Sequence, residues 1–370
     1  MKLLLSGGGT GGHIYPALAV GREWLRMSPE NEVMYIGTRR GLENEIVPKA
    51  GFSFATIEIK GFKRSFSLDN LQTVRLFFRG VRVAKGLLRE FRPDVVLGTG
   101  GYVAGPVLVA AHQLNIPVAI HEQNVIPGLT NRFLSRYASL IAVSFPGTER
   151  HFPARKTRLF GNPRASEVVR ADPQKAWALL SKPSGGKLVL IVGGSRGAEA
   201  INDAFLSIIP RLSAIPDTHF VYVSGKVHYE RISRLAEEQL ACHPEVRRQL
   251  TIFPFLDEMP EMLAASTLVI SRAGATILSE LTALGRPAIL IPSPYVTNNH
   301  QEKNAAWLTE AGAAVMIRER ELTGERLFAE MKQLLEQPQR LSAMAQASRG
   351  LGRPDACPQL CRALAELARR

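Results

Sequence analysis

The chain has 370 residues, 45% of them apolar and 21% charged, a balance that excludes fibrous and disordered classes and a length that calls for two domains. No apolar run approaches the roughly 20 residues of a membrane span and the N-terminus does not read as a signal peptide, so a cytoplasmic protein that meets membranes only at their surface is expected. The net charge of +13 is uneven: residues 1–165 hold 22 Lys+Arg against 11 Asp+Glu, whereas residues 166–370 hold 24 against 22. An excess confined to one half points to an anionic partner.

Short apolar runs alternate with helical patterns along the whole chain, which is the signature of parallel α/β structure. In the first half the strands read as 2–6, 33–37, 54–59, 95–98, 118–121, 140–143 and 157–160. The run Gly161-Asn162-Pro163 breaks the rhythm, and it restarts with strands at 187–192, 219–223, 250–253, 268–271, 288–291 and 315–317. Each half opens with a strand ending in a glycine-rich turn. Two Rossmann-like domains are therefore expected, 1–163 and 164–340, with ligands at the carboxyl ends of both sheets across a cleft. Residues 341–370 read as a helical tail packing back on the first domain. Cys242, Cys357 and Cys361 form no Cys-x-x-Cys pair and are read as small residues of a reducing compartment.

The first turn, Gly7 to Gly12, formally matches the dinucleotide fingerprint, and Arg39-Arg40 after the second strand would suit a 2′-phosphate. The turn is denser in glycine than a dinucleotide needs, however, and His13 follows at once. No Gly-Lys-Ser/Thr ends any of the turns, which disfavours a P-loop. The segment from Lys60 to Arg92 mixes cations with apolar residues. At 100° per residue Val74, Phe77, Phe78, Val81, Ala84, Leu88 and Phe91 form a core stripe. Leu76, Val83 and Leu87 fall on a second side, edged by Arg79 and other cations and preceded by Lys63 and Arg64. That strip suits docking on an anionic membrane surface, or else packing within the domain. A second glycine turn, Gly98-Thr99-Gly100-Gly101-Tyr102, follows the fourth strand and suits a further phosphate, as does Gly193 to Gly197 with Ser195 and Arg196. Glu280, one turn into the helix after Ser271–Thr276, either accepts from ribose hydroxyls or merely complements the helix N-terminus.

Gly8–His13, Gly98–Tyr102, His121-Glu122-Gln123-Asn124, Gly193–Gly197, Ser271–Glu280 and His300–Ala305 together resemble the MurG family, in the family's own order, from Lys2 to about Arg353. The resemblance implies an α/β, GT-B fold of two Rossmann-like domains and an inverting transfer of N-acetylglucosamine from UDP-N-acetylglucosamine to the muramyl 4-hydroxyl of lipid I, giving lipid II. It implies that Ser195 and Gln301 contact UDP, Glu280 the ribose, Ala275 and Thr276 the diphosphate, and the Leu256 backbone the uracil. Thr10, Gly11, Gly12 and Asn124 match positions that reach the donor's sugar. Gly9, Gly100, Gly101, Tyr102, His121 and Glu122 fall to the acceptor. The family's Gly-Asn-Pro-Val-Arg becomes Gly161-Asn162-Pro163-Arg164-Ala165 here, so Arg164 sits one place early for a donor contact.

A displacement of this kind needs a base near the acceptor oxygen. His13 is the foremost candidate, either as that base or as a hydrogen-bond donor to substrate. His121 and Glu122 are alternatives, and Glu122 could instead orient the loop carrying Asn124. There is no Asp-x-Asp, His-Glu-x-x-His or paired-cysteine motif, so no metal and no cofactor are expected. The expected partners are the UDP-sugar, lipid I and the anionic cytoplasmic face of the cell membrane, where the protein would be peripheral. Nucleic acid is not expected, since no aromatic-rich basic patch is apparent. The rival readings are an NADP-dependent oxidoreductase, a UDP-sugar epimerase on the same architecture and a basic binding scaffold.

Overall fold

The computed structural model describes residues 1–61, 69–194, 197–296 and 299–369. They form two compact units, Met1–Ser166 with Arg353–Arg370, and Glu167–Gly352. The first unit holds seven strands: β1 (Lys2–Gly7), β2 (Glu32–Gly37), β3 (Ser53–Thr56), β4 (Val95–Gly100), β5 (Val118–Glu122), β6 (Leu140–Val143) and β7 (Thr157–Leu159). The second holds β8 (Lys187–Val192), β9 (Thr218–Val223), β10 (Leu250–Phe253), β11 (Leu268–Ser271), β12 (Ala288–Leu290) and β13 (Ala314–Met316). The orders are β3-β2-β1-β4-β5-β6-β7 and β10-β9-β8-β11-β12-β13, with parallel pairing throughout. Both units are thus the Rossmann-like folds expected, and β3 ends at Thr56, short of the expected Ile59. Strand order reverses between β1 and β4 and between β8 and β11, the switch points where such sheets bind ligands.

The central strands of each sheet are buried on both faces because they are apolar at most positions. In β1, Leu3 and Leu5 join one core with Trp24 and the C-terminal helix, while Leu4 joins the other with Val96 and Leu108. That is the two-residue period of a strand expressed as two cores. The helix Gly11–Met27 covers the first face, and the helices Asp69–Phe91 and Ala104–Gln113 lie on the second.

The expected tail at 341–370 is two elements with different destinations. The helix Pro338–Leu351 stays with the second unit, because Leu341 and Met344 enter its core and Ser348 Oγ donates to Arg286 O at 3.1 Å. Only the last helix, Ala356–Ala368, belongs to the first unit, where Cys357, Leu360, Cys361 and Leu364 are buried. The Cys357 and Cys361 thiols donate to Ala19 O and Val20 O, so both serve as small packing residues.

The helix Asp69–Phe91 also departs from expectation. Val81, Ala84 and Leu88 are buried as the stripe predicts, but Phe78 is 67% exposed and Val74 is exposed. Leu87, assigned to the membrane strip, instead packs against the core with Phe77, and Leu76 is half-buried. Arg79 pairs with Glu58 at 3.4 Å, and Val83 remains exposed. The cause is helix geometry: a stripe drawn at 100° per residue is wider than the sheet and its neighbouring helix can cover, so its outer edge stays in solvent. Lys63 and Arg64 lie outside the described residues.

Leu364→Ala removes a fully buried side chain from the last helix and should lower stability by about 2–5 kcal/mol. Urea unfolding followed by circular dichroism checks this. Arg362→Ala, on the exposed face of the same helix, should leave the midpoint within about 0.5 kcal/mol of its starting value.

Candidate functional site

At the switch point of the first sheet two glycine turns meet. Gly8 N donates to Gly100 O at 3.2 Å. Gly101 adopts φ +82°, and a Cβ there would lie 2.4 Å from Gly8 O, so backbone approaches backbone as only glycine allows. Gly9 also takes a positive φ, +81°. Thr10 is the extended N-cap of the helix Gly11–Met27, and no side chain caps its first turn. The helix start at Gly11 and Gly12 therefore presents bare N–H groups and partial positive charge.

His13 opens that helix, half-buried. Its Nδ1 lies 2.9 Å from Gly8 O and 3.3 Å from Thr10 Oγ1. A carbonyl can only accept, so Nδ1 carries a proton, and in the neutral ring the lone pair falls on Nε2. Among the described residues no hydrogen bond reaches Nε2. Gly100, at φ +105°, makes room for the ring: a Cβ there would lie 3.1 Å from Nε2. Tyr102 is 59% exposed beside this turn.

The structure adds a residue that the sequence reading passed over. Glu43 is buried, and its Oε2 accepts from Gly9 N at 3.0 Å while Oε1 accepts from Thr38 N at 3.1 Å and Thr38 Oγ1 at 2.6 Å. The Gly9 N–H, which a dinucleotide fingerprint would offer to a phosphate, is already taken. The available signal was the spacing Gly37-Thr38-x-x-Gly41-x-Glu43 directly after β2.

His121 is not available to a ligand. It is fully buried, its Nε2 donating to Gly161 O at 3.0 Å and its Nδ1 accepting from Gln123 Nε2 at 3.1 Å. Burial lowers its pKa to about 4, the Gly161 hydrogen bond opposing the shift, so the ring is neutral and ties β5 to the segment after β7. Glu122 is buried too: Oε1 accepts from Asn124 N at 2.9 Å, and Oε2 from Gly128 N at 3.0 Å and Asn131 Nδ2 at 2.9 Å. It shapes the loop that carries the half-buried Asn124 and is not itself presented to substrate. Arg164 begins a short helix with its guanidinium 5.6 Å from the centre of the Tyr15 ring, and the same ring flanks Gly11.

The second unit offers a different surface at its own switch point. Ser195 and Arg196 lie outside the described residues. Around them Gly197, at φ +73°, fits against Ser224 O, where a Cβ would lie 2.5 Å away, and the helix Glu199–Leu206 begins without a side-chain cap. After β11, the helix Ala275–Leu284 is capped only by Gly274 backbone. Ala275 is buried at its first turn, and Thr276 Oγ1 is buried with no hydrogen-bond partner among the described residues. An uncapped helix start beside an unmatched hydroxyl is a ready anion site. Arg272, two residues before Gly274, donates to Ile291 O at 3.2 Å and pairs with Glu319 at 2.5 Å, both side chains 13% exposed.

Glu280 lies in the second turn of that helix and is 5% exposed. Gln301 Oε1 accepts from Ser293 N at 2.9 Å, which leaves its amide nitrogen as the group it offers. Leu256 is buried. Among the described residues no three His, Cys, Asp or Glu side chains are grouped to hold a metal ion, and no helix is long and apolar enough to cross a membrane.

Residues 3–143 match the glycosyltransferase family 28 N-terminal domain, and residues 188–360 the C-terminal domain of the same family. Over their whole lengths, this chain is 53% identical to the UDP-N-acetylglucosamine--N-acetylmuramyl-(pentapeptide) pyrophosphoryl-undecaprenol N-acetylglucosamine transferase of Halalkalibacterium halodurans and 49% identical to that of Bacillus cytotoxicus. Among solved structures it resembles Acinetobacter baumannii MurG, at 28% identity over 99% of both chains with a TM-score of 0.76. A UDP-GlcNAc 2-epimerase from Neisseria meningitidis, bound to UDP-GlcNAc, shares the fold alone, at 16% identity and a TM-score of 0.70 over 99% of this chain and 100% of that one. With both halves of the domain pair matched and the transferases aligned end to end, the chain belongs to the MurG family of glycosyltransferase family 28.

Proposed function

We propose that this chain is an inverting glycosyltransferase that moves N-acetylglucosamine from UDP-N-acetylglucosamine to the muramyl 4-hydroxyl of lipid I, giving lipid II. The observation that carries the reading is full-length identity of 53% with a transferase of that name; the site chemistry supplies a route. The donor's diphosphate is assigned to the bare helix start at Ala275 and Thr276 with Ser195, its ribose to Glu280, its uracil to the Leu256 backbone, and Gln301 to a further UDP contact. Thr10, Gly11, Gly12 and Asn124 are assigned to the donor sugar, and Arg164 to the same end through its place beside Tyr15. The acceptor is assigned to the turns carrying Gly9, Gly100, Gly101 and Tyr102.

His13 is the base. Its Nε2 lone pair takes the proton of the muramyl 4-hydroxyl as that oxygen bonds to the anomeric carbon, and the bond from that carbon to the diphosphate oxygen breaks with both electrons leaving on UDP. Inversion follows from the single displacement. Helix N-termini and the Thr276 hydroxyl stabilise the charge that grows on the leaving diphosphate. No step calls for a metal.

The protein is assigned to the cytoplasmic face of the cell membrane, as a peripheral enzyme. What supports this is an exposed apolar patch: Phe77 makes edge contacts with both Phe78 and Phe133, and Phe78 and Leu129 are 67% and 69% exposed. Arg136 stacks on Phe133, and Arg75, Arg82 and Arg132 are exposed nearby in sequence. Apolar side chains edged by cations match the chemistry of an anionic bilayer surface. Val83 and Arg79 remain in the proposal as its margin.

Labelled N-acetylglucosamine should pass from its UDP donor to a lipid I analogue in the presence of EDTA; UDP binding without transfer would reject the reading. His13→Ala should lower kcat by about 10²–10⁴ with UDP affinity kept. Glu280→Ala should weaken UDP binding in calorimetry by about 1.5–3 kcal/mol, on the order of ten- to a hundredfold in Kd. Phe78→Asp should cut sedimentation with anionic vesicles while leaving turnover on a soluble, short-chain acceptor unchanged; undiminished sedimentation would remove the patch from the membrane assignment.

A further inference from the structure

The peptide unit between Gly8 and Gly9 is engaged at both ends. Its N–H donates to Glu43 Oε2 at 3.0 Å, and its C=O accepts from His13 Nδ1 at 2.9 Å. The peptide bond is trans, so these groups point in opposite directions, and the carboxylate and the imidazole lie on opposite sides of one planar, polarisable unit. The arrangement is built with glycine. A Cβ at Gly8 would lie 2.5 Å from Glu43 Oε1, one at Gly41 2.2 Å from the same oxygen, and one at Gly37 2.6 Å from Glu43 Cγ.

Glu43 itself has little freedom. It is 1% exposed, and Thr38 donates to its other oxygen from both backbone and hydroxyl. Hydrogen bonds in a chain polarise one another, by about 10–30% per bond in condensed-phase estimates. A carboxylate drawing on the Gly9 N–H therefore makes the Gly8 carbonyl a stronger acceptor for the proton on His13 Nδ1.

We propose that Glu43 is the positioning residue for His13, acting through the Gly8–Gly9 peptide. It fixes the ring's orientation, keeps the proton on Nδ1 and so keeps the lone pair on Nε2. The logic is that of a base oriented by a carboxylate, with a peptide group inserted between the two. The catalytic part of the proposal rests on the reading of His13 as the base.

Histidine-selective ¹⁵N labelling of the full chain reads the tautomer, the His13 signals being identified by their loss in His13→Ala. The proton should sit on Nδ1 in the unaltered protein. In Glu43→Gln, whose amide nitrogen sets a donor against a donor, the ring should report a mixture of tautomers. Turnover should fall on the order of ten- to a hundredfold, as when a histidine's outer partner is removed, with KM for the UDP-sugar changed by less than about twofold. Thr38→Val, which loosens the carboxylate without removing it, should lie between the two.

A proton on Nε2 in the unaltered protein would overturn the proposal, and that result needs no variant to fold. So would Glu43→Gln with the Nδ1 tautomer and full turnover intact, and if His13→Ala is inactive alongside it, the base reading survives alone. A tautomer shift in Glu43→Gln combined with full turnover in His13→Ala would support the relay and remove the base reading.

Discussion

The first unit depends on the close approach of two glycine turns. A Cβ at Gly101 would fall 2.4 Å from Gly8 O, and one at Gly7 would fall 2.0 Å from Thr99 Oγ1, so the ends of β1 and β4 can meet only as bare backbone. That contact sets where the helix from Gly11 begins and which way His13 leaves it. Thr99 Oγ1 then donates to His13 O at 2.7 Å, tying the second turn to the first turn of that helix. A side chain at either glycine would disturb the turn from which the histidine leaves.

The same contact explains why a turn that reads like a dinucleotide fingerprint does different work. A buried carboxylate occupies the place where a phosphate oxygen would otherwise meet the Gly9 N–H, and it does so inside the strongly basic half of the chain. In the second unit the helix start at Gly274, after β11, is left bare, and Thr276 adds a buried hydroxyl with no partner among the described residues. The turn after β1 is thus filled by the protein's own anion, whereas the helix start after β11 is left without a side-chain cap.

The central strands were legible because they are short, mostly apolar runs, several of them leading into glycine turns, and burial on both faces leaves few other readings for such a run. The glycine turns were legible for the same reason. Glu43 was not, because a lone glutamate in a helix following a strand has the look of a solvated surface residue. Only the three-dimensional approach of Gly8, Gly37 and Gly41 shows that a carboxylate fills the space. His121 was misjudged as a ligand contact because a motif records which residues recur together and not which way they face; here the ring is sealed by Gly161 O and Gln123. The tail was divided in the wrong place, since Leu341 and Met344 carry the same apolar period as Leu360 and Leu364, and periodicity does not say which core receives it.

Hydrogen exchange of the full chain with and without UDP tests the division of labour most directly. The account predicts protection at the turn after β8, at Phe255–Asp257 and at Gly274–Thr276, with the Gly7–Gly12 turn unchanged. Protection of Gly7–Gly12 by UDP, with Gly274–Thr276 left unprotected, would contradict it.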